Sequence, residues 1–369
     1  MASDLLMHGM RRLYLLATLT ITAIVFDVSG QRAVAQQAPA IGRDDSRATS
    51  PTARLDARLL VSDGGRVDWS NQNRIAFDRK GRDGYYQVWV IGPDGRGELC
   101  LTCGKPDAPQ KHKGNPAWHP SGRYIVFQAE KDRALPFLNN LAAPGRGVAN
   151  DLWLMDASGN RYWKLVDVPR LPAGGVLHPH FSHDGSKLLW TQLVKPSGKL
   201  GIWEMKIADF EVAMGTPRLT NIRTYAPGPV RRFYESHGFT PDDRKIIFTA
   251  QVETGMSDIF AMDLASGQTV NLTRTPHDWN EHAQLSPDGN HVVWASTRNT
   301  DARSLNLWIM NLDGSNPRML VNCHTPGSLL FSPGIGPADS SWSPDGKSLA
   351  LYLISDKDET SGSIWILKL

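Results

Sequence analysis

Three short stretches hold the side chains best suited to chemistry: "LHPHF" (177–181), "YESHGF" (234–239) and "NEHAQL" (280–285). Together they contribute His178, His180, His237, His282, Glu235 and Glu281. An imidazole beside a carboxylate can move protons near neutral pH, and several such groups can share a divalent cation. In His178-Pro-His180 the spacing puts both imidazoles on one side of an extended strand. His282 or Glu281 would bring a third N/O ligand. The expected metal set is therefore His178, His180 and His282. The competing reading is a wet channel lined by polar residues that satisfy backbone groups.

These stretches recur because the chain repeats. "AWHPSGRYIVFQA" (117–129), "HFSHDGSKLLWTQ" (180–192), "GFTPDDRKIIFTA" (238–250), "QLSPDGNHVVWAS" (284–296) and "SWSPDGKSLALYL" (341–353) are five copies of one unit, after a degenerate first copy, "DWSNQNRIAFD" (68–78). Their anchor residues, Trp69, Trp118, Phe181, Phe239, Leu285 and Trp342, are 46 to 63 residues apart. That period signals a propeller or a solenoid. Pro-Asp-Gly turns the chain tightly, because Pro presets φ, Asp bonds locally and Gly tolerates positive φ. Apolar strands such as "KIIFTA" and "HVVWAS" come next. Third strands such as "DLWLMD" and "NLWIMNL" follow, and fourth strands such as "QTVNLT" close the unit.

The last unit ends at "SIWILKL" without a fourth strand, while "ARLLVS" (57–62) is a fourth strand without a unit. A ring accounts for both. The expected fold is all-β, a six-bladed β-propeller of four-stranded antiparallel blades, closed when the N-terminal strand completes the last blade. The connections between strands two and three, and from strand four to the next blade, share one rim. The long segments 103–114, 130–150, 222–235 and 323–338 gather there.

Three positions before the anchors stand Arg66, Asn115, His178, Ser236, His282 and Asp339, with His180 and Gln284 one position before theirs. The ligand-binding rim is therefore read as Asn115, His178, His180, Arg231, Arg232, Glu235, His237, Glu281, His282, Gln284 and Asp339. Arg231 and Arg232 could clamp a carboxylate or phosphate, or could simply be solvated. His183 falls in the opposite turn. Segment 130–150 reads as a lid or partner loop, or as a packed Ω-loop. Cys100 and Cys103 suit a local disulfide, which leaves Cys323 as a free thiol.

The "SPDG" turn, the aromatic residue before it and the "DLWLMD" type of strand resemble the propeller repeats of the TolB-type family over residues 57–369. TolB proteins act as periplasmic adaptors and carry an α/β domain ahead of the propeller. Here only the polar leader 36–54 precedes the repeats, so a Tol role is not expected. The repeats also resemble the propellers of prolyl-oligopeptidase-type peptidases. The chain contains no G-x-S-x-G nucleophile elbow, which argues against that activity. Oligogalacturonate lyases, related propellers with a histidine-held divalent ion, are a further resemblance, although they have seven blades.

Arg11 and Arg12, the apolar stretch Leu13–Phe26 and the small residues Ala33-Val34-Ala35 form a signal-peptide pattern over 1–35. That apolar stretch is shorter than the roughly 20 residues a membrane-spanning helix needs. Its removal takes away three of 40 basic and two of 37 acidic residues, so the remaining chain carries +2. Such a balance gives no case for nucleic acid. The sequence thus leads to a periplasmic or secreted, monomeric propeller with no transmembrane segment once the signal is removed. It is expected to be a non-catalytic binding or scaffold protein for an envelope protein or extracytoplasmic polysaccharide. The alternative is a metal-dependent polysaccharide lyase or hydrolase, with a divalent metal ion as the only cofactor under consideration.

Overall fold

The computed structural model describes residues 55–132, 139–169, 174–197, 200–300, 304–330, 335–355 and 358–369. The expected signal peptide and leader, and Pro136-Phe137-Leu138 of the long loop, lie outside them. Among the described residues, twenty-four strands form six four-stranded antiparallel sheets. Blades 1 to 5 take consecutive strands: β2–β5, β6–β9, β10–β13, β14–β17 and β18–β21, beginning at Val67–Trp69 and ending at Arg318–Val321. Blade 6 joins β22 (Ile335–Trp342), β23 (Ser348–Ser355) and β24 (Asp358–Lys368) to β1 (Asp56–Gly64) from the other end of the chain. β1 runs antiparallel to β24, with Ala57 opposite Leu367 and Leu59 opposite Trp365. The ring closes as the repeat count requires.

Each blade buries both faces against its neighbours, which explains why second strands read as unbroken apolar runs. In β15 (Lys245–Gln251), for example, Ile246, Ile247, Phe248 and Ala250 are all buried. Six apolar clusters fill the six blade interfaces. Blade 3 packs Leu189, Met205 and Ile207 on Tyr234, Phe239 and Phe248 of blade 4. The 1/2, 2/3, 4/5 and 5/6 interfaces follow the same scheme. At the 6/1 seam, Val61, Ile364 and Ile366 meet Val67, Trp69 and Ile75.

The repeated turn needs a left-handed residue four positions after each anchor. Glycine supplies it at Gly122, Gly185, Gly289 and Gly346, while Asn73 and Asp243 supply it in the two turns that lack glycine. Three serines and a threonine, Ser182, Ser286, Ser343 and Thr240, donate from the same turn to an Asp two residues on.

Two details depart from the sequence pattern. β12 (Ile202–Ala213) and β13 (Thr216–Tyr225) form a hairpin longer than the "GIWEMKI" and "TPRLTN" strands, turning at Met214 and Gly215, both at positive φ. The expected loop 222–235 therefore shrinks to 226–233. Within segment 130–150, a short helix, α1 (Asn139–Ala142), buries Ala142 and Ala143, and Gly147 packs on the Val176 carbonyl. The described part of this loop is packed against blade 3.

Ring closure makes β1 a structural necessity. Val61→Asp would place an unpaired carboxylate among Ile364, Ile366 and Val67, and is expected to cost about 3–5 kcal/mol of unfolding free energy. Leu59→Asp, on the exposed side of the same strand, should stay within about 0.5 kcal/mol. Denaturant unfolding of the two variants measures the contrast.

Candidate functional site

The inner strands β2, β6 (Lys113–Trp118), β10 (Gly175–Phe181), β14 (Tyr234–Phe239), β18 (Asn280–Leu285) and β22 contact one another in ring order around the central channel. Most of them carry a bulge near the same place, where the pairing register slips: 114/117, 177/180, 236/238, 281/284 and 337/340. At three of these bulges a non-glycine residue takes positive φ: Asn115 (51°), His178 (47°) and His282 (54°). Asn and His tolerate this region better than most residues. A bulge re-aims its side chain, and this is how strands from separate blades direct polar groups at one point.

That point is a buried cluster. His178 Nε2 lies 2.9 Å from Glu235 Oε1, and His178 Nδ1 lies 3.8 Å from Asp339 Oδ1. His282 Nδ1 is 3.3 Å from Glu235 Oε1 and 3.2 Å from Asp339 Oδ1, while its Nε2 is 3.6 Å from Glu281 Oε1. Arg66 Nε approaches Asp339 Oδ2 at 3.6 Å, and its guanidinium lies over the Tyr352 ring. Ser236 Oγ donates to the His178 carbonyl at 2.7 Å and is bonded by Thr191, which fixes the His178 bulge across the blade 3/4 boundary. His237 Nε2 is 2.7 Å from the Thr249 hydroxyl and 4.0 Å from Glu235 Oε2.

The electrostatics follow from burial set against mutual attraction. Burial alone would raise the Glu235 carboxyl, but the imidazoles of His282 and His178 outweigh it and hold Glu235 well below the usual carboxylate range. Asp339 is lowered likewise, with His282, His178 and Arg66 overcoming its desolvation. His282 is raised well above an ordinary histidine, because Glu235, Asp339 and Glu281 overcome the burial that opposes its charge. Burial and the neighbouring Glu235 push Glu281 up. Burial drives His237 down to about 3 and His180 down to about 4, so both are neutral at physiological pH.

The structure sorts the residues proposed from sequence. His178, Glu235, Glu281, His282 and Asp339 converge. His180 does not join His178 as a ligand partner. The donor atoms within 4.8 Å of one another belong to His178, His282 and Asp339. The bulge between Leu177 and His180 breaks the alternation on which the His178-Pro-His180 reading depended, and His180 packs beside Gly238. Asn115 sits at the equivalent bulge of blade 2, its backbone N–H bonded to Asp78. Gln284 contributes its carbonyl to Trp342 Nε1. Arg231 and Arg232 are exposed on the loop entering β14 (Tyr234–Phe239) and form no ion pair with a described residue. His183 lies in the opposite turn, where Asp243 of the next blade accepts from its backbone N–H.

Cys100 and Cys103 form the local disulfide, and Cys323 is a buried free thiol pushed up to about 12 by desolvation. The sequence reading missed Asp78, a buried carboxyl pushed up to about 6 by desolvation despite Arg66 nearby. Its signal was the single acidic residue of the strand "IAFDRK" (75–80).

No family model matches the sequence. Dipeptidyl-peptidase 5 from Porphyromonas endodontalis is 23% identical over 283 residues, which cover 66% of this chain and 37% of that protein. The chain thus spans little more than a third of this curated relative. TolB from Acinetobacter baumannii superposes with a TM-score of 0.54 at 17% identity, over 82% of this chain and 65% of that one. A puromycin hydrolase mutant gives 0.50 at 14% identity, over 80% and 44%. The fold is that of the TolB-type six-bladed propellers. The expectation of a non-catalytic scaffold, with a polysaccharide-degrading enzyme as its alternative, is corrected here. The curated relative bears a peptidase name, and a puromycin hydrolase shares the architecture.

His282→Ala removes the cation that Glu235 and Asp339 share. Both carboxyls sit below their unfolded values, so their stabilisation is present above about pH 4 and is lost as pH falls. Left short of a partner, they should lower unfolding free energy by about 3–5 kcal/mol near neutral pH. The deficit should shrink towards pH 4, where protonation removes the uncompensated charge. Denaturant titration at both pH values reads the difference, and an equal deficit at both would contradict this electrostatic account.

Proposed function

We propose that this chain serves peptide hydrolysis, with the loop-rich mouth of the channel receiving the amino-terminal end of a short peptide. The observation that carries the reading is the crowding of three carboxyl groups at the mouth. Glu235, Glu281 and Asp339 surround His178 and His282, with Arg66 as the permanent cation in contact. A protonated amine is the peptide group such a surface selects.

Glu281 is the accessible member of the set. Its side chain is 18% exposed, against 4% for Glu235 and 9% for Asp339. An arriving ammonium would ionise Glu281, whose carboxyl burial now holds up, and would gain a charge-assisted hydrogen bond. Arg231 and Arg232, exposed on the loop leading to Glu235, suit the carboxylate at the other end of the peptide. The peptidase name of the curated relative supports a peptide substrate. The Cys100–Cys103 disulfide supports a location outside the reducing cytoplasm, as the N-terminal signal pattern does. Among the described residues, no helix is long and apolar enough to cross a membrane.

Calorimetry with tetrapeptides carrying free or acetylated amino termini tests the reading, with mass spectrometry following cleavage. The free-amine peptide should bind at least about 10-fold tighter, a difference of about 1.4 kcal/mol. Glu281→Gln should abolish most of that preference. Equal binding of the two peptides, or binding of neither, would overturn the proposal.

A further inference from the structure

We propose that the channel mouth is a binding site for a borderline-soft, zinc-class divalent cation, ligated by His178, His282 and Asp339 with Glu235 alongside. The site shares Glu235 and Asp339 with the peptide reading but is argued from donor geometry alone. It begins with the donor set. Two imidazoles and a carboxylate present ligand atoms within 4.8 Å of one another. Imidazole nitrogen with carboxylate oxygen suits zinc, cobalt and iron, whereas calcium and magnesium take oxygen shells.

Spacing gives a second, independent argument. Four ligands at about 2.0–2.1 Å from a tetrahedral cation stand about 3.3 Å apart. Among the proposed ligands, His282 Nδ1 and Asp339 Oδ1 are 3.2 Å apart and His178 Nδ1 and Asp339 Oδ1 are 3.8 Å apart, with Glu235 Oε1 3.3 Å from His282 Nδ1.

Orientation gives the third. His282 Nδ1 faces two carboxylate oxygens yet makes a well-aligned hydrogen bond with neither, and it is buried without another partner. Glu235 Oε2 and Asp339 Oδ2, which lie 4.0 Å from His237 Nε2 and 3.6 Å from Arg66 Nε, are also buried without hydrogen-bond partners. A plain ion-pair network would align a proton along one of these contacts, since an unsatisfied buried charge is costly. A nitrogen aimed between two oxygens is an arrangement that a shared cation accommodates. The bulge geometry is what makes it attainable, because His178 and His282 both use positive φ to direct their rings inward. Asn115 occupies the same position in blade 2, so the bulge belongs to the blade and the imidazoles exploit it.

The test uses the full chain, freed of metal with a chelator, titrated with Zn²⁺ by calorimetry and analysed for metal after desalting. Co²⁺ provides a separate optical readout of nitrogen ligation. One equivalent of Zn²⁺ should remain bound, and Co²⁺ should give a visible absorption band. His178→Gln, His282→Gln and Asp339→Asn should each weaken Zn²⁺ binding by about 100-fold or more. His180→Gln should leave it within about 3-fold, because His180 is not among the converging donors. Circular dichroism establishes that each variant is folded. Should a variant fail to fold, the Co²⁺ spectrum of the unmodified protein decides alone. Sub-stoichiometric Zn²⁺, a Co²⁺ spectrum like that of the free ion, or Ca²⁺ binding as tight as Zn²⁺ would overturn the proposal. None of these readouts involves a peptide, so the metal site and the peptide function can fail separately.

Discussion

Pairing of β1 with β24 is the constraint on which the rest of this structure depends. Only a closed ring lets every blade bury both faces, and the six interface clusters require six filled boundaries. Closure also fixes where the inner strands stand. His178 in blade 3, His282 in blade 5 and Asp339 in blade 6 are far apart in sequence, yet they meet because the ring brings their strands around one axis. The N-terminal strand thus positions a cluster to which it contributes no residue.

The cluster has an energetic character that the blades must sustain. Burying several carboxylates and imidazoles together is unfavourable unless each charge finds an opposite one. Without a bound cation the network offsets this internally: Glu235, Asp339 and Glu281 raise His282, and His282 in turn lowers Glu235 and Asp339. Arg66 relieves Asp339 from the other side. The buried atoms left without a hydrogen bond include Glu235 Oε2, Asp339 Oδ2, His282 Nδ1 and His180 Nε2. Strongly perturbed titratable groups of this kind cluster at functional sites.

Much of the fold was legible because its signals are local and repeated. The turn sequence states its own conformation, with Asn73 and Asp243 replacing glycine where positive φ is needed. The absent fourth strand of the last unit announced the seam. Legibility ended where geometry departs from the regular pattern. The bulge after Leu177 has no distinctive sequence signature, so strict alternation placed His180 beside His178, whereas the structure pairs His178 with Asp339 instead. Asp78 was passed over because a single carboxyl in an apolar strand carries no spacing. The β12–β13 hairpin outgrew its pattern because its outer half is set by pairing with its own partner rather than by burial. Function was the least legible property, since a propeller scaffold accommodates many activities.

The central claim is that strands from separate blades focus their bulge residues on one electrostatic cluster across the ring. A double-mutant cycle on His178 and Asp339 tests it most directly, because these residues belong to blades 3 and 6 and share no strand or turn. The stabilities of His178→Ala, Asp339→Ala and the double variant, measured by denaturant unfolding, should yield a coupling of about 1 kcal/mol or more. Additivity within experimental error would mean that the two side chains do not meet, and would contradict the account.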